Sequence, residues 1–475
     1  MDAANLHPTV KTLLQAINNK DSSAFASAFA ANAVLVDESF SYTSSKAIRD
    51  FAADSLVRPN AQVLQILESV PLDADGLTHL KVLMDGDYAE EYGITEPFPL
   101  WLHISLQTAP SAANEQKISR LRIDIYAPGT PMMRAVWAAA GKTREDDPLA
   151  ALRCDVLPVP DPPDETWVRI KMLASSLNHH DVFTLRGIVV AGGTYPLTLG
   201  NEGVGVLDDG TEVLVYPVMS PATSSPSGPT PAADEYDITL DPERHVFGER
   251  TQGLMSEYAV IPRANLVPKP AGMPTRTAAV MGVAWLTAYR MLFARSGLRR
   301  GQTMLVQGAA GGVATALVQL GAAAGMRVWA TGRTEAKRAL AGRLGASRVF
   351  APGEEVPAGE AAAVFNLSGG ATFEEALRVV RNGGTVVCCA IHGGAEVKMR
   401  VMDLFMRGIT VTGSYMGTRE EFESLLEFVA RHGIEPVVDS VVGLDGVGKA
   451  VERMVAGDVK GKIVVSIAED AVNKE

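Results

Sequence analysis

The residues best equipped for chemistry are concentrated between Gln302 and Lys337, QTMLVQGAAGGVATALVQLGAAAGMRVWATGRTEAK. The apolar run TMLVQ leads into the turn Gly308-Ala309-Ala310-Gly311-Gly312-Val313-Ala314. A helix-period segment follows to about Gly325, and a second apolar run, RVWAT, closes the unit. In such a β-α-β unit the small residues of the turn let the backbone come close to a pyrophosphate. The helix that opens there offers unpaired N–H groups and the positive end of its dipole. Any tight strand-to-helix turn favours glycine; the two flanking strands and the helix, in the required order, make this one a dinucleotide site. The end of the second strand decides which dinucleotide. An NAD site places Asp or Glu there for the ribose 2′-hydroxyl, whereas this strand ends Thr331-Gly332-Arg333-Thr334, with Lys337 one turn on and no carboxylate before Glu335. Arg333 and Lys337 suit a 2′-phosphate, Arg333 as a bidentate fork, so the cofactor expected is NADP(H). The alternative is a pair of solvated cations, awkwardly placed at a helix start.

Two further sets of polar residues interrupt apolar segments. Asn178-His179-His180-Asp181 follow the strand-like TWVRIKMLA, and Asn201-Glu202 lie in LGNEGVGV. Adjacent histidines on an extended segment point opposite ways, and an amide is a poor zinc ligand beside thiolate or imidazole, so no metal is expected. Near the N-terminus Asp37, His79, His103 and Asp124 fall on strand-like runs. A His–Asp pair in an apolar pocket can do general acid/base work; these residues also alternate with apolar neighbours, as outward-facing strand residues would.

Several domains are needed to hold these groups. A chain of 475 residues suits two to four, and 47% hydrophobic with 21% charged residues is an ordinary globular composition. The net charge of −12 argues against nucleic acid or an anionic membrane as partner. The opening MDAANLHPTVKTLLQAINNKD has no basic stretch leading into an apolar one, and no apolar run approaches the about 20 residues of a spanning helix. Three cysteines, Cys154, Cys388 and Cys389, make neither a disulfide framework nor a four-cysteine zinc site. A cytoplasmic protein acting on a small molecule is expected. In order, the chain reads as helices at Pro8–Asn19 and Ser22–Ala31, the strand VLVDESF and the helix SSKAIRDFAADSL. Four strand-like runs follow: AQVLQILESV, LTHLKVLMDG, PLWLHISLQT and QKISRLRIDIY. That is a small α+β domain with a curved sheet. Beyond the linker-like REDDP the pattern is all-β, interrupted by PATSSPSGPTPAA, and then alternates strand and helix.

The N-terminal pattern, including KDSSAFASAFAANAVLVDE, resembles the nuclear transport factor 2-like (SnoaL-like) fold over about residues 5–130, a cone with a pocket between helices and sheet. The remainder resembles the medium-chain dehydrogenase/reductase superfamily. SSLNHHDVFTLRG, LGNEGVGV, GLMSEYAVIP, GVAWLTAYRML, GAAGGVA, FNLSGG, RNGGTVVCCA, GSYMGTREEF and GKIVV occur in the family's order across about residues 150–468, and look most like its quinone-oxidoreductase-like branch. The resemblance implies a multi-domain architecture. An N-terminal α+β cone would span 1–143, a GroES-like catalytic β domain 149–270 plus 415–475, and a Rossmann α/β doubly wound NADP-binding domain 271–414. Zinc-dependent members place a cysteine at the start of the segment beginning Asn178 and a histidine where Asn201 stands. They also carry a cysteine-rich lobe, and Met219–Arg250 contains no cysteine. The departures imply a zinc-independent member.

The same resemblance puts Thr287 near the nicotinamide and Lys462 at the cofactor, and has Asn178 and Asp181 order the cleft floor. Ligands in open α/β sheets sit at strand C-terminal ends, so Asn366, Ala390, Ile391, Ser414, Tyr415 and Met416 are expected along the cofactor. His179, His180, Tyr195 or Tyr216 would supply a proton. Without a Lewis acid, hydride addition to an enone or quinone is easier than reduction of a simple ketone, because hydrogen bonds need stabilise only a delocalised enolate. The expected function is an NADPH-dependent enoyl or quinone reductase acting on a small hydrophobic molecule, as in secondary metabolism. The alternatives are a redox-neutral cyclase or isomerase in the N-terminal pocket, or an N-terminal domain that only dimerises the protein. A homodimer is expected.

Overall fold

A computed structural model describes residues 7–37, 40–42, 44–53, 62–70, 77–85, 98–108, 116–124, 131–138, 147–188, 197–220, 237–468 and 472. They form two units, one mainly Met1–Met133 with Arg153–Val159, the other Arg134–Ala139 with Pro160–Glu475.

In the first unit, helices span Pro8–Asn18, Ser22–Ser27 and Ser45–Phe51. Local capping starts them: Asp21 Oδ1 accepts from Ser23 N (3.0 Å) and Ala24 N (2.9 Å), and Ser44 Oγ accepts from Ala47 N (3.1 Å). The second helix stops at Ser27, short of the expected Ala31, because Phe29 already opens the strand Phe29–Asp37. A six-stranded sheet follows the order Phe40–Tyr42, Phe29–Asp37, Gln116–Asp124, Phe98–Thr108, Leu77–Asp85, Gln62–Val70. Leu13, Ile17, Phe25, Leu35, Ile48, Ile104 and Ile118 fill the core. The backbone register sets His79 opposite His103 and Asp124 opposite Trp101. The side chains of Asp37, His79, His103 and Asp124 lie outside the described residues.

The second unit joins a β domain to a doubly wound one. Its seven-stranded sheet runs Leu266–Pro268, Glu212–Val215, Gly203–Val206, Trp167–Ser176, Lys462–Ser466, Val438–Gly443, with Tyr258–Pro262 also paired to Trp167–Ser176. Lys462–Ser466 and Val438–Gly443, from the far end of the chain, thus complete this sheet. Residues 134–138 depart from the expected break at 143. They are mostly buried and pair here, with Val136 N donating to Met255 O (2.8 Å) and Ala138 opposite Leu197. The second sheet has six parallel strands in the order Arg348–Phe350, Arg327–Thr331, Thr303–Gln307, Ala361–Asn366, Val380–Cys388, Thr410–Gly413. Thr303–Gln307 and Ala361–Asn366 are buried at every position, as central strands covered on both faces must be. No helix among the described residues is long and apolar enough to cross a membrane.

Candidate active site

The glycine-rich turn sits between the paired strands Thr303–Gln307 and Arg327–Thr331. Gly308 adopts φ +119°, which favours glycine, and its N–H reaches Thr331 Oγ1 at 3.2 Å. Gly311 is the N-cap of the helix Gly312–Ala323, and no side chain caps that helix's amides. A Cβ added at Gly311 would meet nothing within 4 Å. Free amides, a dipole and open space in one place fit a pyrophosphate. The turn is braced from the β domain: Ala310 O accepts from Gly461 N at 2.6 Å, and a Cβ on Gly312 would press on Lys462 Cδ at 2.9 Å. Val313 and Ala314 complete the first turn, with Ala314 buried. Gly332 must stay small, since a Cβ there would meet Ala309 and Arg338 side-chain carbons at 2.9 Å.

The two expected phosphate-binding cations part company. Arg333 is exposed, and has no hydrogen bond or ion pair among the described residues. Lys337 Nζ donates to Gly457 O at 2.9 Å, just past the helix Val447–Val455, where carbonyls lack partners. At the strand ends, Asn366 is saturated internally. Its Nδ2 donates to Gln307 Oε1 (2.8 Å) and Thr372 Oγ1 (2.9 Å), and its Oδ1 accepts from Gly369 N (2.7 Å). It shapes the site's edge. Ala390 is half-buried and Ile391 exposed. Ser414 N donates to Cys388 O at 2.9 Å, while its Oγ is buried without a partner. Met416 has φ +47°, unusual for a side-chain-bearing residue, and its Sδ accepts from Thr287 Oγ1 at 3.8 Å. Tyr415 lies beneath the Arg244 guanidinium, 4.7 Å from ring centre. An uncapped helix start, the open face at Gly311 and the orphaned Ser414 hydroxyl together suit a dinucleotide.

The cleft-floor segment is helical where an extended strand was expected. Asn178 is the N-cap of the helix His179–Leu185, so the two histidines occupy its first turn. Asp181 supplies the reason: its Oδ2 accepts from Asn178 N at 2.8 Å, closing the helix start. Its Oδ1 accepts from Gly200 N at 2.8 Å. Burial pushes this carboxyl up to about 6, against the pull of those two amides and of His180 and Lys462.

Behind Asn178 lies a buried polar network. Asn178 Nδ2 donates to Glu202 Oε1 (2.8 Å), and its Oδ1 accepts from Lys462 Nζ. Lys462 Nζ also donates to Leu177 O (2.7 Å) and pairs with Glu202 Oε1 (3.0 Å). Glu202 receives Ser176 Oγ (2.6 Å) and Val283 N (2.8 Å) as well. Lys462, expected at the cofactor, makes these contacts on the floor beneath the turn, with its stem beside Gly312. Asn201 Nδ2 donates to Phe247 O at 2.6 Å, and its Oδ1 is buried without a partner. This donor set does not fit zinc. The Asn178 oxygen already faces an ammonium, and Asn178 and Asn201 offer only amides, poor ligands for zinc.

The proton-donor candidates also separate. Tyr216 is buried, its hydroxyl donates to Gly417 O at 2.7 Å, and burial raises its pKa well above the usual range. Tyr195 lies outside the described residues. His179 keeps a solvent-facing edge yet is crowded by protein, which lowers its pKa, with His392, Lys462 and Arg186 adding to the shift. Its ring meets His392 edge-on at 4.5 Å, and His392 in turn stacks on Phe183 at 5.5 Å. His180 Nε2 bonds Glu249 Oε1. Neither His392 nor Glu249 was anticipated. For His392 the position just past a strand end was a usable signal, whereas Glu249 is distant in sequence and carries none.

Comparison with known proteins agrees with this geometry. Residues 164–271 match the alcohol dehydrogenase GroES-like domain, and residues 312–431 match the zinc-binding dehydrogenase family. The chain is 28% identical over 331 residues to alcohol dehydrogenase 1 of Neurospora crassa, covering 66% of this chain and 93% of the relative. It is 28% identical over 321 residues to the acryloyl-coenzyme A reductase of Metallosphaera sedula, covering 66% of this chain and 96% of the relative. Among solved structures, an NAD-dependent alcohol dehydrogenase superposes with TM-score 0.64 at 28% identity, covering 71% of this chain and all (100%) of that one. In its GroES-like and Rossmann-type domains this chain is similar to the medium-chain dehydrogenases/reductases, and those relatives support an oxidoreductase.

Proposed function

We propose that the protein is an NADPH-dependent, zinc-independent reductase of an activated C=C bond, an enone or a quinone, in a small hydrophobic substrate. The observation that carries this reading is the cleft floor: where the resemblance puts the ligand cysteine of zinc-dependent members, Asn178 is held between the Lys462 ammonium and the Glu202 carboxylate. A conjugated acceptor spreads developing charge and does not require the Lewis acid that a simple ketone does. Similarity to an acryloyl-coenzyme A reductase supports the same class of reaction.

The reduced nicotinamide, when bound, supplies a hydride. The protein's own part is to bind and to orient. The amides at the start of Gly312–Ala323 would hold the pyrophosphate, and exposed Arg333, with no acid beside it, would take the 2′-phosphate. Thr287, Ser414 and Met416 would border the nicotinamide end. The buried Lys462–Glu202–Asn178 network fixes the floor with every strong donor and acceptor engaged. The N-terminal unit, with helices ahead of a six-stranded sheet, suits the NTF2-like cone as a substrate-holding or pairing module. A homodimer is supported by the helix Val401–Arg407, which buries none of its residues and leaves Val401, Met402, Phe405 and Met406 exposed next to the edge strand Thr410–Gly413. Calorimetry of NADPH against NADH, with an anaerobic survey of enones, quinones and aldehydes, tests the reading. NADPH oxidation by enones or quinones sustains it; binding without any oxidation moves the chemistry to the N-terminal pocket.

A further inference from the structure

We propose that His180 is the proton donor of the reduction and that Glu249 is the residue that positions it, a pairing that rests on the enone-reductase reading. The two are 69 residues apart in sequence, and their side chains meet through His180 Nε2 and Glu249 Oε1. Glu249 is not free to wander. Its second oxygen accepts from Val246 N at 2.9 Å. The turn that carries it is pinned from both sides, by Thr184 Oγ1 donating to Gly248 O (2.9 Å) and by Asn201 Nδ2 donating to Phe247 O (2.6 Å). Thr184 lies on the same short helix as His180, and Asn201 adjoins the buried Glu202, so the carboxylate and the imidazole are held by one framework.

With Nε2 committed to a carboxylate, the neutral imidazole carries its proton there, and Nδ1 is the atom left to exchange one. Nδ1 has no hydrogen-bond partner among the described residues. The pair remains partly open, with 23% of the His180 side chain and 11% of the Glu249 side chain accessible. His179 is the poorer carrier. Lys462, Arg186 and His392 oppose its cation, and it has no carboxylate partner among the described residues, whereas His180 meets Glu249.

The step balances with the nicotinamide hydride as reductant. Hydride addition forms a C–H bond at the β-carbon, and the π electrons move to oxygen as an enolate. The Nδ1–H bond of the His180 imidazolium then breaks as a C–H bond forms at the α-carbon and the carbonyl returns. His180 is left neutral with Nε2–H on Glu249, and solvent restores the proton to Nδ1.

The test compares the unaltered protein with His180→Gln and with the near-isosteric Glu249→Gln, using NADPH and an α-methyl enone. Calorimetry first confirms that each binds NADPH. Turnover at saturating enone is expected to fall about a hundredfold or more in His180→Gln and roughly tenfold in Glu249→Gln. The new α-centre should change from one enantiomer to a mixture in His180→Gln, because water then protonates the enolate from either face. Without any cofactor, at a pH high enough to leave the ring neutral, nitrogen NMR of the histidine rings should find His180 as the Nε2–H tautomer, and as a mixture in Glu249→Gln. If His180→Gln does not fold, Glu249→Gln and the NMR tautomer decide. Undiminished turnover and selectivity in the variants, or an Nδ1–H tautomer in the unaltered protein, would overturn the relay while leaving the reductase standing. No enone reduction by the unaltered protein removes the reductase and the relay together.

Discussion

Two helix starts in the same unit are finished in opposite ways. At Gly312–Ala323 the N-cap is a glycine, no side chain meets the amides, and the space beside Gly311 is empty. At His179–Leu185 the Asp181 carboxylate closes the start, and Asn178 behind it has both ends of its amide engaged by Lys462 and Glu202. Backbone donors left unmet in a folded protein mark a place for an outside anion. Donors and acceptors met from within mark a support. On the proposed function, the contrast gives cofactor binding to the first start and positioning to the second, although both stretches are polar or glycine-rich interruptions of apolar sequence.

The comparison breaks most severely at Lys462. Lys462→Met leaves Glu202 buried without its cation, and removing one partner of a buried pair costs about 3–5 kcal/mol. Denaturant unfolding should register that loss, and a stability change under 1 kcal/mol would show the network to be ornamental. Asp181 comes next. Its carboxyl is raised from 3.8 to about 6 in the native state, so the folded chain holds this proton longer than the unfolded one. Stability from this group is therefore full below about pH 4 and declines as pH rises to 6, by roughly 3 kcal/mol. Denaturation midpoints measured between pH 4 and 7 should fall over that window, and Asp181→Asn should flatten the fall.

Gly311→Val separates the two helix starts. The added side chain meets no protein atom at its Cβ, so thermal stability should hold, while NADPH affinity drops about a hundredfold because the side chain takes the open space. Equal loss of stability and affinity would mean the turn is structural. A smaller effect belongs to Arg333→Gln. A charge-assisted hydrogen bond to a phosphate contributes about 1.5–3 kcal/mol, so NADPH should lose roughly tenfold or more against NADH in paired binding titrations. Lys337→Gln should change that ratio less, since its ammonium already meets Gly457 O.

What was legible in the sequence follows the range of the forces involved. The strand Thr303–Gln307, the helix from Gly312 and the strand Arg327–Thr331 stand where apolar periodicity places them, because each is decided within a dozen residues. The helix expected over Ser22–Ala31 ends at Ser27, since the alanines past it favour helix and the pairing of Phe29 with Ile118 recruits the chain into a strand. The segment Asn178–Asp181, expected to be extended, is a helix start, and its Asn-x-x-Asp spacing is the local signature of one. Glu249 beside His180 and Lys462 beside Glu202 could not be read at all. Those pairs are made by strands and turns far apart in the chain, and nothing local in GERTQG or GKIVV announces the partner.

The most direct test of the central claim is anaerobic NADPH oxidation by the full chain, with enones and quinones set against saturated ketones and with a strong zinc chelator present throughout. Oxidation driven by the conjugated acceptors, indifferent to the chelator and absent with saturated ketones, is the result predicted. Activity confined to ketones, or abolished by the chelator and restored by zinc, would contradict it.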